Sequence, residues 1–140
     1  MDFRKVNLLT EQDNYPPFSI EKILNLLGTT KYMSACWPMA NGFHAVKVKA
    51  SDIRKTAFST HKGHWESICM PMGLINSPAT YMRMINFKLK GLIGKICFAY
   101  VDDLFVFERT EEEHMQNLKT VFQRLRETHL KLNPNYKSSK

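Results

Sequence analysis

The order of patterns along this chain predicts an α+β domain, a mixed sheet covered by helices on one face. Three observations carry that prediction. Two apolar, aromatic-rich runs on either side of Asp102-Asp103 read as the buried strands of a hairpin. Two helical patterns flank that hairpin, one starting at Ser77-Pro78 and one at Thr110-Glu111-Glu112-Glu113. A second hairpin pattern, around His61-Lys62-Gly63, lies in the middle of the chain.

The elements follow in order. Residues 2–7 read as a short strand. Asp13-Asn14-Tyr15-Pro16-Pro17 forms a turn, its prolines confining the chain to extended geometry. Ser19 then caps a short helix with Ile20, Ile23, Leu24 and Leu27 on one face, ended by Gly28. An extended segment from Lys31 to Cys36 is expected to be interrupted by Trp37-Pro38, and Ala45 to Lys49 alternates as a half-buried strand does. Thr56–Thr60 and His64–Cys69 are the arms of the middle hairpin. The helix opened by Ser77-Pro78 runs to about Lys90 and puts Tyr81, Ile85 and Leu89 on one side. The last helix, behind a capping box at Thr110, is expected to bury Met115, Leu118, Val121, Phe122 and Leu125. No repeat, linker or second domain interrupts this order.

Composition narrows the class. At 140 residues and 44% hydrophobic content, one folded domain or part of a larger one is expected, and wholesale disorder is excluded. The formal net charge of +7 favours a polyanionic partner such as nucleic acid, although Lys131, Lys137 and Lys140 place part of the excess at one end. Cys36, Cys69 and Cys97 are widely spaced and form no CxxC pair, so neither a zinc site nor a disulfide framework is supported. They read as buried thiols in a reducing compartment. The five histidines have no metal-ligand spacing. No signal peptide and no run long enough to cross a bilayer is present, so an intracellular setting, cytoplasm or nucleus, and no membrane partner are expected.

The chemistry concentrates at Asp102-Asp103. Two carboxylates between buried strands are costly unless a cation meets them. Such a pair at one end of a sheet is the usual oxygen-rich setting for Mg²⁺ shared with substrate phosphates. Asp is also a favoured turn residue, so spacing alone leaves both readings open.

Taken together, the motifs resemble the palm of a reverse transcriptase (RNA-directed DNA polymerase) from the Pol polyprotein of a gypsy-like long-terminal-repeat retrotransposon. Asp2-Phe3-Arg4-Lys5-Val6-Asn7 is similar to that family's D-[YF]-R-K-[LV]-N, and Tyr15-Pro16-Pro17 to its proline turn. Lys55-Thr56-Ala57-Phe58-Ser59-Thr60 matches K-T-A-F-S-T, Met70-Pro71-Met72-Gly73-Leu74 resembles M-P-F-G-L, and Asn76 to Thr80 resembles N-A-P-A-T. Tyr100-Val101-Asp102-Asp103 is similar to the Y-[VLM]-D-D box, and Lys131-Leu132-Asn133-Pro134 to K-L-N-P.

The resemblance implies a mainly antiparallel palm with partial fingers and no thumb. It places the fingers/palm junction at about residues 1–30 and 44–75, with the rest of residues 1–140 palm. It also implies templated deoxynucleotidyl transfer on an RNA or DNA template-primer from dNTPs, with three aspartates holding two Mg²⁺ ions. By resemblance, Asp102 and Asp103 are two of these catalytic metal ligands, in the motif begun by Tyr100 and Val101. Phe43 matches the aromatic that stacks under the incoming sugar and screens against a 2′-OH. Met72 and Gly73 fall where the family lines the nucleotide pocket, and Arg4 where it contacts the template.

The chain departs from the family at one decisive place. The family's S-[TA]-[LC]-D-[LM] stands here as Ser34-Ala35-Cys36-Trp37-Pro38, so Trp-Pro replaces the third Asp and adds a residue. No Asp occurs between Asn14 and Ser51. The loss leaves two close cations short of negative charge, Pro38 removes a ladder N–H, and Trp37 adds bulk. Inactivity as an isolated chain is the expectation. Met1 and Lys140 stand where the family is already inside a strand and not yet at the primer grip. An absent upstream hairpin, an absent thumb and absence of the remaining Pol domains are therefore expected too. A domesticated, non-enzymatic nucleic-acid-binding module is the alternative.

Overall fold

A computed structural model describes residues 1–15, 21, 25, 28, 30, 32–39, 42–100 and 103–133, with residues 32–38 described by their backbone. Its centre is a three-stranded antiparallel sheet of β1 (Tyr32–Pro38), β4 (Cys97–Tyr100) and β5 (Asp103–Glu108), in the order β1-β5-β4. β5 is central because its alternating residues can be buried on both faces: Leu104 and Val106 are fully buried and Phe107 nearly so. Two helices, α2 (Ser77–Lys88) and α3 (Glu111–Glu127), cover one face. Tyr81, Ile85 and Leu89 from the first and Val121 and Leu125 from the second meet Cys97, Ala99, Leu104 and Val106 there. On the other face Phe98 stacks on Phe105 at 4.7 Å and tilts against Phe107 at 5.7 Å. A separate hairpin, β2 (Phe58–Thr60) and β3 (Gly63–Trp65), turns at His61-Lys62.

Both long helices begin as polar sequence chemistry dictates. Thr110 accepts from the Glu113 N–H at 3.3 Å, which makes the cap half of the expected box, and its hydroxyl donates to the Glu113 carboxylate at 2.9 Å. α2 starts with Pro at its first turn, where the missing N–H is harmless. Its cap residue is Asn76 rather than Ser77. The Ser77 hydroxyl is buried and donates to the Pro71 carbonyl at 3.1 Å. The Asn76 amide ties the N-terminal segment down, accepting from Asp13 N–H and donating to the Glu11 carbonyl. The far ends of the two helices are pinned together by Lys88 Nζ donating to the Thr128 carbonyl at 2.8 Å and by Arg124 donating to the Lys90 carbonyl at 3.0 Å.

Several expectations change. Residues 2–7 are not a strand: Arg4–Leu8 forms a short helix, α1. An extended segment needs a ladder partner, and no described strand lies beside this one, so the segment takes the local solution, which Arg4, Lys5 and Leu8 favour. Trp37-Pro38 does not interrupt β1. The pairing steps from Ala35↔Phe105 to Trp37↔Leu104, so Cys36 is taken up as a β-bulge and the strand continues to Pro38↔Asp103. Pro38 is tolerated because β1 is an outer strand of the described sheet, not a central one. Ala45–Lys49 contributes one bridge, Lys47↔Cys69, in place of a strand. Residues 50–56, which include the start expected for the middle hairpin, form a 3₁₀ helix. In α3, Met115 and Phe122 are exposed and His114 is buried in their stead, which turns the buried stripe to 114, 121 and 125, with Leu118 half-buried beside it. The turn at Pro16-Pro17 and most of the helix expected after Ser19 lie outside the described residues.

Candidate functional site

The hairpin of β4 and β5 pairs Tyr100 with Asp103, leaving two residues between them. Those two, Val101 and Asp102, lie outside the described residues. Asp103 is half-buried and opens β5, and Tyr100 is 42% exposed at the end of β4. Among the described residues, no hydrogen bond or ion pair engages the Asp103 carboxylate. Opposite it stands position 38, and the residue there is proline.

That register tests the fit of a metal pair. Mg²⁺ takes oxygen ligands, and a two-ion site needs a carboxylate able to bridge both. Proline supplies no side-chain oxygen, and the described residues hold no group of three or more His, Cys, Asp or Glu able to surround an ion. The described residues therefore do not supply a two-ion set.

Phe43 lies in a single 3₁₀ turn, Gly42–Ala45. Its ring packs against Tyr81 of α2, with centroids 5.1 Å apart and planes inclined by 34°. Gly42 is buried, and a Cβ there would stand 2.6 Å from the Tyr81 hydroxyl and 2.8 Å from its ring carbons. Only glycine lets this turn press so closely on the helix. Tyr81 thus fixes where Phe43 sits, a role that reading it as one core residue of a helical stripe did not bring out.

Met72 and Gly73 sit in the turn before α2. Gly73 has φ +97°, a conformation open to glycine, and Met72 is 65% exposed. Asn7 of α1 clasps this turn from outside: its amide donates to the Gly73 carbonyl and accepts from the Ile75 N–H, both at 2.9 Å. Asn7 was legible as the last residue of the D-F-R-K-V-N motif but not as the tie between the two segments. Arg4, on the same helix, is exposed and grips Asp2 through both carboxylate oxygens, Nε donating to Oδ1 at 3.0 Å and Nη2 to Oδ2 at 2.6 Å. The guanidinium holds the Asp2 carboxyl below its ordinary range, and Asp2 in turn raises Arg4. The structure brings Arg4 and Gly73 together through Asn7, sets Phe43 on Tyr81, and faces Asp103 with Pro38. Among the described residues no hydrogen bond or ring contact joins Asp103 to Phe43 or Met72.

Residues 1–139 match the family described as reverse transcriptase (RNA-dependent DNA polymerase), and the chain belongs to that family. Its relatives include retrovirus-related Pol polyproteins from gypsy-like transposons. It is 40% identical over 132 residues to the Pol polyprotein from transposon 297, and 41% identical over 133 residues to that from transposon opus, both of Drosophila melanogaster. These matches cover 94% and 95% of the chain but only 12% and 13% of the relatives. The foamy viral protease-reverse transcriptase solved with double-stranded DNA superposes with a TM-score of 0.83 at 29% identity, over 94% of this chain and 23% of that one. The same viral protein with an RNA/DNA hybrid gives 0.78 at 29% identity, over 90% and 17%. The α+β palm-like fold agrees with both. Among the described residues no helix is long and apolar enough to cross a membrane.

Proposed function

We propose that this chain is the palm and fingers/palm junction of a gypsy-like reverse transcriptase whose two-metal site has lost one carboxylate, and that it does not extend primers as it stands. The observation that carries the proposal is the pairing of Asp103 with Pro38. In the assignment taken from the resemblance, Asp102 and Asp103 are left without the third ligand, and no step of two-metal transfer is derived through them. Phe43 stacks under a nucleotide sugar, Met72 and Gly73 line the nucleotide pocket, and Arg4 contacts a template strand. This reading is supported by Tyr81 packing against Phe43 and by Asn7 holding Gly73 beside α1.

Nucleic acid, RNA or DNA, is the partner this reading names. The net charge of +7 supports it, and contacts to phosphates predict weak, sequence-independent binding that falls steeply with salt. Equal affinity at low and high salt would argue against that. A non-enzymatic binding module gains support from one feature in particular. The insertion at Cys36 is absorbed as a bulge and β1 stays paired over its length, so loss of the carboxylate leaves the fold coherent.

Primer extension on a homopolymer template tests the enzymatic half. The chain is expected to add no nucleotide with Mg²⁺. Template-dependent incorporation that disappears in Asp102→Asn/Asp103→Asn would overturn the proposal.

A further inference from the structure

We infer that the β2–β3 hairpin is a docking platform for single-stranded nucleic acid, with Trp65 stacking on a base while the surrounding cations hold phosphates. The inference rests on the nucleic-acid reading above. It assigns a surface that includes none of the residues placed there at the nucleotide, metal or template sites.

The hairpin is exposed from Ser59 to Glu66, and Trp65 is 52% exposed at its end. A two-stranded hairpin with arms of three residues is marginal in water unless something holds it. Here side chains do. The Trp65 indole N–H donates to the Thr60 hydroxyl at 3.1 Å, which also accepts from the Lys62 N–H at 3.2 Å. Ser59 Oγ and His64 Nδ1 are 2.7 Å apart. These bonds orient the indole and satisfy its one polar group, so what it still offers is a flat apolar face. Every base has a matching π-face, and stacking on an aromatic side chain is tolerant of sequence.

The charge around it points the same way. Val48 N–H donates to the Ile68 carbonyl at 3.0 Å, Met70 N–H to the Val46 carbonyl at 2.8 Å, and Ser67 N–H to Thr56 Oγ1 at 2.8 Å. These bonds lay the basic segment 46–56 along the base of the hairpin. Lys47, Lys49, Arg54 and Lys62 are exposed and make no ion pair among the described residues, whereas Lys55 is paired with Asp52 at 2.7 Å. Residues 47–66 hold five cations (Lys47, Lys49, Arg54, Lys55, Lys62) against two anions (Asp52, Glu66). A duplex satisfies the cations but buries its base faces. An acidic peptide offers charge but no flat face. A single strand offers both phosphates and bases, and therefore fits.

The test is fluorescence anisotropy of a labelled oligo(dT) strand and of a blunt duplex at low salt, with wild-type chain, Trp65→Ala and Trp65→Phe. The expected result is a loss of about ten-fold in oligo(dT) affinity for Trp65→Ala, with duplex affinity unchanged and most of the loss recovered in Trp65→Phe. Salt-sensitive binding that is the same for oligo(dT) in Trp65→Ala and wild type would overturn the stacking platform and leave the nucleic-acid reading standing. Displacement of oligo(dT) by polyglutamate equally well from both proteins would likewise overturn it, as a surface of charge alone. No binding of either nucleic acid by the wild type would overturn both.

Discussion

At the scale of single residues, Gly42 lies tight against Tyr81, and that packing supports Phe43. Gly42→Ala forces a Cβ to 2.6 Å from a fully buried tyrosine, and overpacking of this kind costs about 1–3 kcal/mol. Urea unfolding should show that loss, and an unchanged midpoint would contradict the packing. Cys97 makes a second prediction. Burial pushes its thiol up to about 12, while an unfolded thiol titrates near 8.5. The folded chain therefore holds this proton more tightly than the unfolded one. The resulting stability is fully present below about pH 8.5 and is lost as pH rises toward 12. In native alkylation read by mass spectrometry, half-buried Cys69 should be modified and Cys97 spared until denaturant is added. Labelling of both at equal rates would contradict the burial. Cys97 was legible as a buried thiol from its apolar neighbours. The Gly42–Tyr81 contact was not, because it joins residues far apart in sequence.

At the scale of elements, starts were easier to read than faces. The Thr110 cap is local chemistry, and its hydroxyl accepts from the Glu113 N–H as the sequence indicated. Thr110→Ala should cost about 1 kcal/mol in thermal or urea melts, and no change would mean that the cap contributes nothing. The buried face of the same helix was misplaced by a fraction of a turn. Met115 and Phe122 are more apolar than His114, but the direction from which the sheet approaches decides which stripe is covered. The first segment reads as a strand only while a partner strand is assumed, and the described chain gives it none. The bulge at Cys36 shows the same limit in reverse. An inserted residue and a proline look disruptive in one dimension, yet an outer strand takes up both.

At the scale of the whole molecule, the sheet, its two covering helices and the position of the acidic hairpin were legible because periodicity and caps are local signals. The family was legible because several motifs stand in order. The partner of Asp103 was not legible: that Pro38 stands across the sheet from it required the register. On the proposed reading this one strand position, and not the rest of the chain, abolishes nucleotidyl transfer. The most direct measurement exchanges this segment for its counterpart in an active full-length gypsy-type reverse transcriptase and follows Mg²⁺-dependent primer extension. Two versions are compared, one carrying Trp37-Pro38 and one with a single Asp in their place. The first should be inactive and the second should extend primers. Equal extension by both, or by neither while the unaltered host enzyme works, would contradict the claim.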